Sequence, residues 1–338
     1  YTALPSEYAE GGMLPYALAI HLTYLKAEDQ IYVHHFVSDS NFDQSNIKGK
    51  FYEAASKIEP FFEGKIHTAS VDELISKDWN VFSNSMCAKT ILNEIIHTNA
   101  IPISIDDKVS YTDDIINRVN VWDQLKKDVK ENYRYFVDHD RFDDYVDLSP
   151  SSELKEGTLL YRARIIPEGK KKLKSKDMGC PEKGKATAGR ANPLGIPYLY
   201  LCRDEKTTYY EVRSVYLDRL SIGKFRIQRD LRIVDFNSRS SLFLSFDGAN
   251  PLSDTVVKKK ILETLSHDLS KPMRRYDTEL EYIPTQLICE YCKRSKADGI
   301  CFGSSLHSGG VNYVLFNPED AKCIRVSSRE IKSIHIGI

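Results

Sequence analysis

Near Asp147 the hydrophobic period of the chain changes, and this constrains the fold more than any other feature. Before that point apolar residues recur at helical spacing; after it they come in short runs bounded by Gly, Pro and polar clusters. The turn-rich stretch Leu148-Ser-Pro-Ser-Ser152 marks the change. A chain of 338 residues has room for a sizeable core on each side. The expectation is a helical domain over residues 1–150 and a mixed-sheet domain over residues 151–338, together an α+β protein.

In the first half, Met13 to Val37 is apolar at helical spacing. Ser70-Val-Asp-Glu73 has capping-box spacing and opens an amphipathic stretch through Leu74, Ile75, Trp79 and Phe82. Ile91–Ile96 gives another apolar face, and Thr112-Asp-Asp-Ile115 starts a helix predicted to reach Tyr135. In the second half strands are predicted at 159–166, 198–202, 224–228, 231–236, 299–302, 312–316, 323–326 and 331–336. Helices are predicted at about 205–213, 255–267 and 281–294.

A formal net charge of −1 argues against a nucleic-acid partner held by a global basic field. No run approaches the roughly 18 apolar residues of a membrane span, and no signal peptide is visible at Tyr1. Seven cysteines without a regular framework suit a reducing compartment, so the expected location is the cytoplasm. Cys289-x-x-Cys292 lies in a helical pattern without a second ligand pair, so no metal is expected. Seven lysines between Lys170 and Lys185 read either as a cationic lip for a phosphate-bearing ligand or as a solvated loop.

Four segments hold residues suited to chemistry. In Leu159-Leu-Tyr-Arg-Ala-Arg164, alternation puts Arg162 and Arg164 on one face. An arginine inside an apolar strand needs an anion, either a ligand diphosphate or a structural carboxylate. Gly189-Arg-Ala-Asn192 is an irregular loop in which Arg190 is a second phosphate or ribose contact. Tyr200, on the next strand, either stacks on a flat heterocycle or packs in the core. Glu211 follows on a helix capped by Asp204. Its carboxylate either stabilises a developing oxocarbenium ion or closes a capping box with Thr208. Ser304 and Ser305 end an apolar strand, where their hydroxyls suit a ribose or an amide; no Gly-x-Ser-x-Gly elbow marks either as a nucleophile.

Taken in order, Leu-Tyr-Arg162, Gly-Arg190, the eleven-residue step from Tyr200 to Glu211, Tyr282-Ile-Pro-Thr-Gln286 and Asp298-Gly-x4-Ser304-Ser305 resemble the RES domain family. The resemblance covers about Thr158 to Pro318. It implies an ADP-ribosyltransferase-like fold and cleavage of NAD at the nicotinamide–ribose bond by hydrolysis or phosphorolysis, with NAD as substrate and no other cofactor. It implies that Glu211, Arg162 and Ser304 are catalytic, and that Arg162, Arg190, Tyr200, Ser304 and Ser305 bind NAD. A bacterial toxin or anti-phage effector is the expected role, restrained by an antitoxin or by homo-oligomerisation. The alternatives are ADP-ribosyl transfer to a macromolecule, and RNA cleavage by the helical half. The second rests on a resemblance of Arg134-Tyr-Phe-Val-Asp-His139 to the Arg-x4-His spacing of HEPN ribonucleases. The chain departs from the RES pattern at Ala191, at Tyr209-Tyr210 and in the long stretch from Asn237 to Arg275.

Overall fold

A computed structural model describes residues 55–57, 69–79, 88–93, 104–135, 146, 148–237, 252–271 and 279–333. The chain forms two compact units, residues 1–121 with 239–260, and residues 122–238 with 261–338.

In the first unit three short strands, β1 (Ala55–Lys57), β2 (Ala69–Ser70) and β3 (Lys108–Tyr111), form an antiparallel sheet in the order β1-β3-β2. The sequence reading assigned only helices here, because strands of two to four residues carry no readable period. The Ser70–Glu73 capping box is present: Glu73 N donates to Ser70 Oγ at 3.1 Å and Ser70 N to Glu73 Oε2 at 3.2 Å. It opens a single turn, α1 (Val71–Glu73), that widens into a π-helix over Leu74–Asp78. The helix predicted from Thr112 is broken at Asn120 into α2 (Asp113–Val119) and α3 (Val121–Glu131). Met13–Val37 lies outside the described residues.

The second unit takes in α3 from Trp122 onward and an eight-stranded mixed sheet. Its elements are β4 (Ser152–Leu154), β5 (Leu159–Ile165), β6 (Leu199–Cys202), α4 (Glu205–Glu211), β7 (Arg219–Ile227), β8 (Leu231–Asp235), the end of α5 (Leu252–Ser270), α6 (Ile283–Arg294), β9 (Gly299–Gly303), β10 (Val311–Leu315) and β11 (Ala321–Glu330). The strand order is β11-β7-β5-β6-β10-β9-β8-β4, antiparallel throughout except for the parallel pair β8–β9. Leu160, Leu199, Leu201, Phe225, Ile227, Leu231 and Ile233 form the centre of its core and are all buried. Strands β9 and β10 are apolar runs because both of their faces are covered. One long strand, β11, takes in the strand predicted at 323–326; of the one predicted at 331–336, residues 331–333 are not in a strand and the rest lies outside the described residues. Among the described residues no helix is long and apolar enough to cross a membrane.

One join in this sheet differs from the rest. Strands β5 and β7 are in register over seven pairs, and β6 and β10 over four. Strands β5 and β6 meet only at Tyr161 and Cys202. A continuing ladder would set Arg162 against Leu201 and Ala163 against Tyr200. Instead the strands part there, leaving a wedge between residues 162–164 and 199–201.

Candidate active site

Arg162 and Arg164 project from β5 on one side of the wedge, as alternation predicts. Both donate to one acceptor, the Gly179 carbonyl: Arg162 Nη1 at 3.2 Å and Arg164 Nη2 at 2.6 Å. Arg164 Nε is buried without a partner. Arg190 Nη1 donates to the Leu269 carbonyl, at the end of α5, at 2.6 Å. Among the described residues no carboxylate is ion-paired with any of the three. The structural ion pair offered as the alternative for Arg162 is therefore not formed within the described residues. Burial lowers the pKa of both Arg162 and Arg190. For Arg162 the neighbouring Arg164 lowers it further, whereas Tyr282 and Glu211 partly restore that of Arg190. A guanidinium so placed stays charged at neutral pH, answered among the described residues by neutral carbonyls and, for Arg162, the Cys180 thiol.

Tyr200 lies within electrostatic reach of both arginines. Its hydroxyl donates to Asn192 Oδ1 at 2.8 Å and accepts from Ala191 N at 3.0 Å. Burial pushes this hydroxyl well above the ordinary tyrosine range. The hydroxyl is thus used to fix the 189–192 loop, leaving the ring as the part a ligand can meet. Gly189 permits this contact, since a β-carbon there would lie 2.9 Å from the Tyr200 hydroxyl. The same loop is tied to α6. Gln286 Nε2 donates to the Gly189 carbonyl at 2.8 Å, and Thr285 Oγ1 to the Arg190 carbonyl at 2.6 Å.

Glu211 is the last residue of α4, whose N-cap Asp204 accepts from Thr207 N at 2.8 Å. Thr208 Oγ1 donates to the Glu205 carbonyl at 2.6 Å, so the Thr208–Glu211 capping box is not formed. A carboxylate at a helix C-terminus opposes the helix dipole, so local helix stability does not account for it. Glu211 Oε1 accepts from Ser304 Oγ and from Asn312 Nδ2, each at 2.7 Å. Its Oε2 has no bond among the described residues.

Ser304 Oγ also accepts from Leu306 N at 3.3 Å and His307 N at 3.1 Å. With its proton on Glu211 and its lone pairs on the loop amides, Ser304 orients the carboxylate. Ser305 turns away: it is exposed, and its hydroxyl donates to the Ser270 carbonyl at 2.6 Å. The loop behind Ser304 is held by His307. Its Nδ1 lies 2.9 Å from Thr207 Oγ1, and its ring stacks on Tyr210 with centroids 4.8 Å apart.

Sequence reasoning missed Asn312, although a polar residue inside the apolar run of β10 was a signal. It also missed Asn192 and the Gly179 carbonyl; a backbone acceptor leaves no mark in the residue types. Cys289 and Cys292 are buried in α6, and burial pushes both thiols up. Among the described residues no cluster of His, Cys, Asp and Glu is placed to hold a metal. Arg134 is exposed, and His139 lies outside the described residues.

Two cavities flank these residues. One of about 350 Å³ is lined by Arg190, Tyr282 and Thr285, together with lysines of α3. The other, about 1080 Å³, holds none of the six predicted site residues. Its wall includes Gly179 and Cys180, behind Arg162, and Lys176 and Lys183 from the lysine-rich stretch. We place the candidate site beside Arg190 rather than in the larger space, because the Arg190–Asn192 loop is bonded to Tyr200 and the Tyr200 strand pairs with that of Asn312, the donor to Glu211.

No curated protein matches the chain. A chain of the M. tuberculosis MbcT–MbcA toxin–antitoxin complex aligns with it at 11% identity and a TM-score of 0.31, covering 65% of this chain and 92% of that one. The family model of the RES domain matches residues 159–333, just over half the sequence. The Arg162, Arg190, Tyr200, Glu211 and Ser304 segments lie within that match, and the chain belongs to the RES domain family.

Proposed function

We propose that the second unit binds NAD and breaks its nicotinamide–ribose bond. The observation that carries this reading is Glu211, held through Oε1 by Ser304 and Asn312, with Oε2 unbonded among the described residues and a carbonyl-bound Arg190 on the loop that Tyr200 holds. Cleavage breaks the C1′–N bond, and the electron pair leaves with neutral nicotinamide. The leaving group needs no strong acid, so the work lies in holding the substrate and stabilising positive charge at C1′. Glu211 is a fixed negative charge for that centre. Arg162 and Arg190 exchange carbonyl contacts for the diphosphate, which suits a guanidinium fork better. The Tyr200 ring packs on the nicotinamide end. Water or phosphate adds at C1′ and gives up its proton.

Glu211→Gln keeps an oxygen for Ser304 and Asn312 and removes the charge. Nicotinamide release, followed chromatographically, should fall about 100- to 1000-fold, the loss of about 3–4 kcal/mol typical of such a group. Thermal melting should be unchanged. Undiminished release from this variant overturns the reading. The products identify the acceptor: free ADP-ribose for water, ADP-ribose 1-phosphate for phosphate, and label on protein or nucleic acid for transfer. Depletion of NAD arrests a cell, so the activity suits a cytoplasmic toxin or anti-phage effector restrained by an antitoxin or by self-association. NAD levels after induced expression test this role.

A further inference from the structure

The smaller cavity takes a wall from outside the family domain. Lys126, Lys127 and Lys130 on α3 precede the matched residues, yet they line the same space as Arg190, Tyr282 and Thr285. Two of these lysines are already neutralised. Lys126 is bonded to Asp123 at 2.7 Å and to Asp268 at 2.9 Å, and Lys130 to Glu281 at 2.7 Å. Lys127 and Lys271 line the cavity as well and have no carboxylate partner among the described residues. Glu131 is the one lining carboxylate without a cation partner among the described residues. Since Lys126 answers two carboxylates, the five lining cations against four carboxylates leave the cavity with a formal charge of +1.

Position along the substrate follows from Arg190. Its backbone loop is bonded to Tyr200, whose strand pairs with that of Asn312, the donor to Glu211, and Arg190 itself lines the cavity beside Tyr282. Whatever extends past Arg190 into the cavity is therefore the half of the dinucleotide remote from the bond being cleaved, the adenosine half. A space of about 350 Å³ suits such a fragment rather than a whole dinucleotide. The adenosine of NAD carries no charge beyond its diphosphate, so Lys127 and Lys271 would have nothing to meet. A phosphate on the adenosine ribose would meet both.

We infer that this cavity is a subsite for a ribose phosphate, so that the enzyme accepts the 2′-phosphorylated dinucleotide NADP at least as well as NAD. The inference rests on the NAD-cleaving reading above and adds a specificity determinant supplied by a helix outside the family domain. The test compares kcat/KM for NADP and NAD in the full-length protein, in Lys127→Glu/Lys271→Glu, and in Lys127→Arg/Lys271→Arg. The expected result is an NADP-to-NAD ratio of one or more in the native protein. It should fall by at least about tenfold in the glutamate variant, as loss of charge-assisted phosphate contacts implies, and be kept in the arginine variant. A native ratio below one, or a ratio unmoved by the glutamates, overturns the inference. If neither dinucleotide is cleaved, the NAD reading fails, and calorimetry with adenosine 2′,5′-bisphosphate against AMP decides the subsite separately. Binding of the bisphosphate at least about tenfold more tightly supports it, and equal binding overturns it.

Discussion

Two groups of arginines in the second unit are satisfied in opposite ways. Arg229 bonds Asp320 Oδ1 and Asp298 Oδ1, each at 2.9 Å, and tethers the start of β8 to the turns before β9 and β11. Those hydrogen bonds raise its pKa, and the network holds Asp298 below its ordinary value against burial. Arg162, Arg164 and Arg190 bond backbone carbonyls and, for Arg162, the Cys180 thiol, with no carboxylate ion pair among the described residues, and burial depresses Arg162 and Arg190. The first arrangement is complete in the folded chain. The second leaves formal charge uncompensated in partly buried ground, a cost without a structural return unless an anion arrives. Family membership alone would not separate these two groups; their partners do.

The largest expected departure on the structural side follows from truncating Arg229. Arg229→Ala leaves the buried Asp320 without a cation and the largely buried Asp298 with only Arg232, at 3.7 Å. Because the arginine itself is half exposed, the loss should be about 2 kcal/mol rather than the 3–5 of a fully buried pair. Urea unfolding measures it, and catalytic constants should hold in the folded fraction. The opposite outcome is expected for Arg190→Gln. KM for the dinucleotide should rise about tenfold, the worth of one charge-assisted contact, while the urea midpoint stays or increases. A large stability loss there would erase the distinction. The smallest effect is in acid. The folded-state pKa of Asp298 lies below its unfolded value, so its contribution is full above the unfolded value near 4 and is lost as pH falls through the folded one. Asp298→Asn should flatten this acid limb of the stability curve, and Arg190→Gln should leave it alone.

Central strands were legible because burial on both faces writes a continuous apolar run, as in β9 and β10. Strand β7 begins at Arg219, five residues before the predicted start, because Ser221 and Gly223 interrupt its run. Ser221 sits there, fully buried, because its hydroxyl accepts from Leu173 N at 2.9 Å, a tertiary bond that no local pattern encodes. Strand β4, only Ser-Glu-Leu, has no period to read and exists because it pairs with β8. The site was legible in its side chains and illegible in their partners. Alternation placed Arg162 and Arg164 together, whereas a distant glycine carbonyl supplies their shared acceptor. For Glu211 the capping-box alternative, open in the sequence, is removed by the structure, where Thr208 Oγ1 bonds the Glu205 carbonyl instead.

The solitary pair between Tyr161 and Cys202 has a mechanical consequence. A ladder of many rungs sets the spacing of two strands by itself. Here the rungs beyond the first are missing, so the gap is spanned by side chains and loops instead. On the NAD-cleaving reading proposed above, a substrate bound along it would supply cross-links that the polypeptide omits, and occupancy would stiffen the sheet as a brace stiffens a frame. Amide exchange in β5 and β6 should slow when ligand is present, and so make the backbone itself a gauge of whether the enzyme is loaded.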